Sequence, residues 1–164
     1  MRCQPGRLRL PSRLMTHEDF ATEVERQFQF LDSEYRLRRE PMQKEGARAW
    51  VGYANVDIRV VIEQEENAFC SITVQDLRHI KHDPLERGEF DLDEIVAITN
   101  PRPKRRDFRA TREGIAQAAE MLRAIGRPVL EGDFAALHER QRKAVELLRR
   151  YNPPIQGEPV GGSK

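Results

Sequence analysis

Between Arg48 and Leu77 apolar and polar residues alternate with a period of two, and no helix can satisfy that pattern. Val56, Ile58, Val60 and Ile62 are expected to point one way and Asp57, Arg59 and Glu63 the other, as in a sheet with one dry and one wet face. Breaks at Ala54–Asn55 and at Glu65–Asn67 divide the stretch into three strands, 48–53, 56–63 and 69–77, the last with Cys70, Ile72 and Val74 on one face. The first strand places Ala49, Val51 and Tyr53 together. An antiparallel meander is therefore the predicted centre of the fold.

The flanking segments supply its cover. Thr16 and Asp19 have capping-box spacing ahead of a helix to about Asp32, with Phe20, Val24, Phe28 and Leu31 inward and Glu23, Glu25 and Arg26 in water. Residues 35–41 read as an edge strand ending at Pro41, and Lys44, Glu45 and Gly46 as a turn. After a loop at 78–90, Asp91 and Glu94 repeat the capping spacing before a short helix with Ile95, Val96 and Ile98. Thr111 caps a further helix carrying Ile115, Ala118, Ala119, Leu122 and Ile125, which a left-handed cap at Gly126 and then Pro128 should end. Asp133 opens the last helix, whose inner seam reads Phe134, Leu137, Gln141, Ala144, Leu148 and Tyr151. The expected fold is α+β: a three- or four-stranded antiparallel meander, an N-terminal helix and a C-terminal helical hairpin on one face.

At 164 residues one core is expected, and a charged share of 34% against 38% apolar favours a thin two-layer fold with much wet surface. Residues 1–14, with Arg2, Arg7, Arg9 and Arg13, read as a disordered basic tail, 15–152 as the domain and 153–164 as a second disordered tail. Met15 before Thr16 reads as an alternative start. Setting aside those four arginines, Lys164 and Glu158, positions 15–152 hold 23 basic and 26 acidic residues. No segment is apolar enough for a membrane span or a secretory signal, and the expected location is cytoplasmic. Cys3 and Cys70 make neither a disulfide framework nor a thiolate metal site.

Catalytic chemistry finds little footing. His79, His82 and Asp83 are close in sequence, but a metal needs three or four converging ligands, and only His17 and His138 could add to them from afar. His138–Glu139 starts like a zinc-protease helix, yet Arg142 stands where the second histidine belongs. Ser12, Ser33, Ser71 and Ser163 lack a nucleophile elbow, and Asp57 with Glu63, or Glu63 with Glu65, lacks the lysine a metal-dependent nuclease uses. No cofactor and no enzymatic activity are expected.

Function is therefore sought on the surface. By alternation Trp50, the sole tryptophan, lies opposite Ala49, Val51 and Tyr53, joined on the open face by Arg48, Gly52, Asp57, Arg59, Val61, Glu63, Ser71 and Thr73. A large aromatic among charges suits a protein partner. A second candidate surface is the basic stretch Arg102, Lys104, Arg105, Arg106, Arg109 and Arg112. It would suit an acidic protein or, with Phe108 stacking on a base, a nucleic acid. The expected partner-binding residues are Trp50, Asp57, Arg59, Val61, Glu63, Arg102, Lys104, Arg105 and Arg106.

An opening helix, a meander, closing helices and no catalytic motif give residues 16–151 an architecture that resembles the small α+β immunity proteins bacteria encode beside secreted toxins. The resemblance implies stoichiometric inhibition of a toxin or comparable partner by electrostatic complementarity. The chain is also similar to secretion chaperones, which begin with a helix and three strands but are typically strongly acidic dimers with further strands after the central helix.

Overall fold

The computed structural model describes residues 15–66, 68–79, 87–99 and 107–151. Its centre is the meander of β3 (Arg48–Ala54), β4 (Ile58–Gln64) and β5 (Phe69–Asp76), with Val51 opposite Ile62 and Ile62 opposite Ile72. The alternation acts as expected. Ala49, Val51, Tyr53, Ile58, Val60, Ile62, Cys70, Ile72 and Val74 are buried, while the residues between them on β4 and β5 are half-buried.

Four short segments flank the meander. β1 (Arg38–Arg39) and β2 (Gln43–Glu45) both pair with the outer edge of β3, and β6 (Glu89–Asp91) and β7 (Phe108–Arg109) both pair with the outer edge of β5. Each edge is thus shared by two partners at different heights. The segment 35–41 narrows to β1 because Tyr35 ends the first helix and Arg36 takes a left-handed cap, φ 58°. Lys44 and Glu45, expected in a turn, belong to β2. The hairpin turns at Gly46, φ +59°, a conformation that glycine adopts freely.

Val56 departs from the expected pattern: it is 88% exposed. Asn55 explains why, since its Oδ1 accepts hydrogen bonds from the amides of Asp57 and Ile58, and its own amide donates to the Ile58 carbonyl. This side-chain turn consumes residues 55–57, so the strand starts at Ile58.

α1 (His17–Tyr35) begins at Thr16, whose hydroxyl accepts from the Asp19 amide, and buries Phe20, Val24, Phe28 and Leu31 completely. Each such side chain contributes about 1.5–3 kcal/mol. Glu23, expected in water, is buried as well. Its carboxylate accepts from Arg26 and Gln27, with the Arg112 guanidinium 3.9 Å away, so the charge enters the interior with its partners.

α2 (Leu92–Thr99) opens on a full capping box: the Asp91 carboxylate accepts from the Glu94 amide at 2.7 Å and Glu94 accepts from the Asp91 amide at 2.9 Å. α3 (Arg112–Ile125), capped by Thr111, lies beside α1 beneath the sheet. Gly126 does not adopt the expected left-handed cap. Its φ is −79°, and the chain passes straight into α4 (Arg127–Leu130), with Pro128 in a first turn where a missing N–H does no harm. The left-handed glycine is Gly132, φ +92°, which releases the chain into α5 (Ala135–Tyr151). The two longer C-terminal helices pack at different places, α3 on α1 and α5 on α2. Leu137 and Val145 bury the inner side of α5, with Phe134 buried just ahead of it, whereas Leu148 and Tyr151 of the expected seam are exposed.

Candidate functional site

The antiparallel register lays the open sheet face out in rows. One runs Gln43, Trp50, Glu63, Ser71; the next Gly52, Val61, Thr73, Asp91; the third Ala54, Arg59, Gln75, Glu89. Trp50 and Val61 are half-buried and stand outside the hydrophobic cluster beneath the sheet. Among the described residues the helices pack on the other side.

Arg48 and Arg59 on this face are already paired. Arg48 Nε donates to Glu63 Oε1 at 2.6 Å, and Arg59 Nε donates to Glu40 Oε2 at 2.9 Å. Glu40 reaches Arg59 by crossing Gly52: a Cβ at that glycine would lie 1.9 Å from Glu40 Oε2. The absent side chain is what lets the carboxylate lie across the strand. The face therefore presents an aromatic and an aliphatic residue between two internally neutral ion pairs.

Asp57 is not among them. It sits in the β3–β4 turn at the end of the sheet, where its carbonyl accepts from the Leu77 amide and its carboxylate lies 3.8 Å from Arg78. Arg102, Lys104, Arg105 and Arg106 lie outside the described residues. The rest of the basic stretch serves the fold: Arg109 stacks over the Phe69 ring at 4.9 Å and Arg112 faces Glu23. Phe108, offered above as a platform for a base, is half-buried against the core and pairs with Cys70 in β7.

Where β7 stops at Cys70 and β6 starts at Thr73, the β5 edge opens into a cleft of about 390 Å³. Its floor holds Ser71, Ile72 and Phe108, and Glu65, Asp91 and Asp107 stand around it. This acidic hollow adjoins the Ser71 and Thr73 end of the open face.

A second constellation joins residues far apart in sequence. His79, from the loop after β5, stacks on His138 of α5 with ring centroids 4.1 Å apart and planes at 17°. His138 Nε2 lies 3.0 Å from Asp76 Oδ2; an ionised carboxylate only accepts, so the proton is on Nε2. Asp76 Oδ1 accepts from the Arg78 amide at 3.1 Å, and the Arg78 guanidinium donates to the Gly132 carbonyl at 2.7 Å. Burial alone would push the Asp76 carboxyl up, but the His138 and Arg78 hydrogen bonds and the Arg78 charge outweigh it and hold it below the ordinary value. His79 is therefore half-buried instead of a solvated loop residue. The signal for His138 was its place four residues after Phe134, on the buried side of the helix; nothing local marks Asp76 as its partner. Among the described residues no group of three or more His, Cys, Asp or Glu could hold a metal ion.

No family model, curated protein or solved structure matches this chain. Among the described residues no helix is long and apolar enough to cross a membrane.

Proposed function

We propose that this chain is a non-enzymatic, cytoplasmic protein-binding module that uses the open face of its sheet, acting as an inhibitor of the immunity type on a toxin or a comparable bacterial partner. One observation carries the reading: Trp50 and Val61 stand on the side of the meander away from the helices, outside the core. Half-buried aromatic and aliphatic residues amid paired charges have the composition of an interface centre with a polar rim. The neighbouring acidic cleft favours a partner that brings a cationic side chain to the same end of the sheet.

Because Arg48 and Arg59 are already neutralised within the face, affinity on this reading depends on Trp50 more than on long-range charge. Co-purification of the tagged chain with the product of a neighbouring gene, followed by titration calorimetry, tests it. Trp50→Ala is expected to weaken binding by about 2 kcal/mol or more, the loss typical of a central aromatic, and Arg59→Glu to weaken it less. Binding indifferent to Trp50→Ala would refute the reading. So would salt-sensitive oligonucleotide binding abolished by neutralising Arg105 and Arg106.

A further inference from the structure

The chain enters its fold at Met15, whose carbonyl accepts a hydrogen bond from Gln64 Nε2 at 3.0 Å. Gln64 is buried, and its Oε1 has no hydrogen-bond partner. An amide oxygen shut away from water calls for a donor, and this one belongs to the same amide group that holds Met15. Gln64 is also the register partner of Cys70, which walls the cleft on the β5 edge, and Glu65 beside it lines that cleft too. The N-terminal segment therefore leaves the fold beside Gln64, one strand spacing, about 5 Å, from Cys70.

Residues 7–14 carry the complementary chemistry. They place arginine at 7, 9 and 13 and leucine at 8, 10 and 14, and no acid occurs among residues 1–14. In an extended chain odd and even positions face opposite ways, so such a segment has one cationic and one apolar side. Pro11 favours extended backbone before it and has no N–H to leave unpaired. The cleft offers the matching surfaces, with apolar Ile72, Leu92 and Phe108 and acidic Glu65, Asp91 and Asp107. Five extended residues span about 16 Å, so Leu10 reaches the cleft from Met15. We propose that residues 7–14 dock in this cleft as an intramolecular ligand, with Leu8 and Leu10 on its apolar floor and Arg9 and Arg13 toward its acids, Arg13 nearest Glu65.

Tethering decides between this segment and the same segment of another copy. A short linker presents its end at an effective concentration in the millimolar range, so a contact of millimolar intrinsic affinity is already half occupied within one chain, while a second copy at micromolar concentration does not compete. The β5 edge is open for only about two positions between β7 and β6, too few for an added strand, so side chains carry the contact. On the reading above, a partner that brings a cation to this cleft must displace the segment. Docking itself does not depend on that reading.

A nitroxide label on Cys3 of the full chain tests this, read by paramagnetic broadening of backbone amides. Burial pushes the Cys70 thiol up to about 12, so the label goes to Cys3 alone. The amides of Ser71, Asp91 and Phe108 are expected to broaden, and those of Arg38 and Arg39, on the opposite edge of the sheet, to stay sharp. Leu10→Asp should abolish the broadening. Arg13→Glu or Glu65→Arg alone should reduce it severalfold, and the double variant should restore it. Glu65 makes its turn bonds through its backbone, so Glu65→Arg retains the fold, which the amide spectrum checks; the two variants within residues 7–14 test the proposal without it. No broadening at the cleft, broadening indifferent to Leu10→Asp, or failure of the charge-swapped double variant to rescue would overturn the proposal. So would broadening of isotope-enriched, unlabelled chains mixed with labelled ones, which would place the segment in a second copy. Trp50→Ala should leave the broadening unchanged, so a failed partner assay and a failed docking assay are told apart.

Discussion

Replacing Asp76 by asparagine isolates the contact that ties the end of β5 to α5. The aspartate accepts at both oxygens, from His138 Nε2 at 3.0 Å and from the Arg78 amide at 3.1 Å. Asparagine keeps one acceptor and turns an NH2 group toward the other donor. If the amide oxygen stays with Arg78, two donors face each other at His138. Moving the imidazole proton to Nδ1 does not help, because that atom is buried with no hydrogen-bond partner. Either arrangement leaves one buried donor unsatisfied, at about 1–3 kcal/mol. The lost attraction to the half-exposed Arg78 guanidinium, 3.6 Å away, adds under about 1 kcal/mol. Asp76→Asn should therefore destabilise the fold by about 2–3 kcal/mol at neutral pH, read as a lower urea midpoint at unchanged slope.

Acid supplies the sign. The folded carboxyl titrates below its ordinary 3.8, so its contribution is fully present above that value and disappears as the pH falls through the folded pKa. The stability difference between wild type and variant should hold from neutral pH down to about pH 5 and shrink toward zero at lower pH. A difference below about 0.5 kcal/mol at neutral pH, the scatter of ordinary surface substitutions, or one independent of pH would show that the Asp76–His138 contact does not anchor α5.

Two glycines should be costly to replace for different reasons and by different amounts. At Gly114 an added Cβ would lie 2.1 Å from the Arg109 carbonyl oxygen, so Gly114→Ala should cost about 2 kcal/mol or more despite a helix-propensity gain of about 1 kcal/mol. Gly46 has φ +59° and open space around it, so Gly46→Ala should cost only about 1 kcal/mol of backbone strain, both read by chemical denaturation. Removing the reciprocal cap with Glu94→Ala should cost about 1 kcal/mol and lower the melting temperature. Burial pushes the Cys70 thiol up to about 12, so in a Cys3→Ser background the folded protein should resist alkylation at pH 8 and react only after unfolding, by mass spectrometry.

Much of this architecture could be read from the residues because local and global requirements agree there. Ile58 to Glu63 alternate in the sequence and in the fold, and Asp91 with Glu94 cap a helix by contacts only three residues apart. Trp50 and Val61 were legible as face residues for the same reason. Val56 and Asp57 were not, since alternation runs unbroken through the turn and only the two amides held by Asn55 end it. The edge segments β1, β2, β6 and β7 have two or three residues each, too few to display a period. Glu23 looked wet because its distant partner, Arg112, is 89 residues away. The His79–His138 stack and the acidic cleft on the β5 edge likewise exist only once separate segments meet. Pro128 marks the start of a helix here, and only the backbone of Gly126 distinguishes that from a stop.

The divided borders of the meander limit how anything can attach to it. A guest peptide that zips onto a sheet needs an unbroken ladder of donors and acceptors along one strand. β3 and β5 each offer theirs to two short host segments, which leaves only about two positions between them on either flank. Neither cross-seeding by another chain nor end-on polymerisation finds a foothold, and a visitor must come broadside, across the exposed rows of side chains.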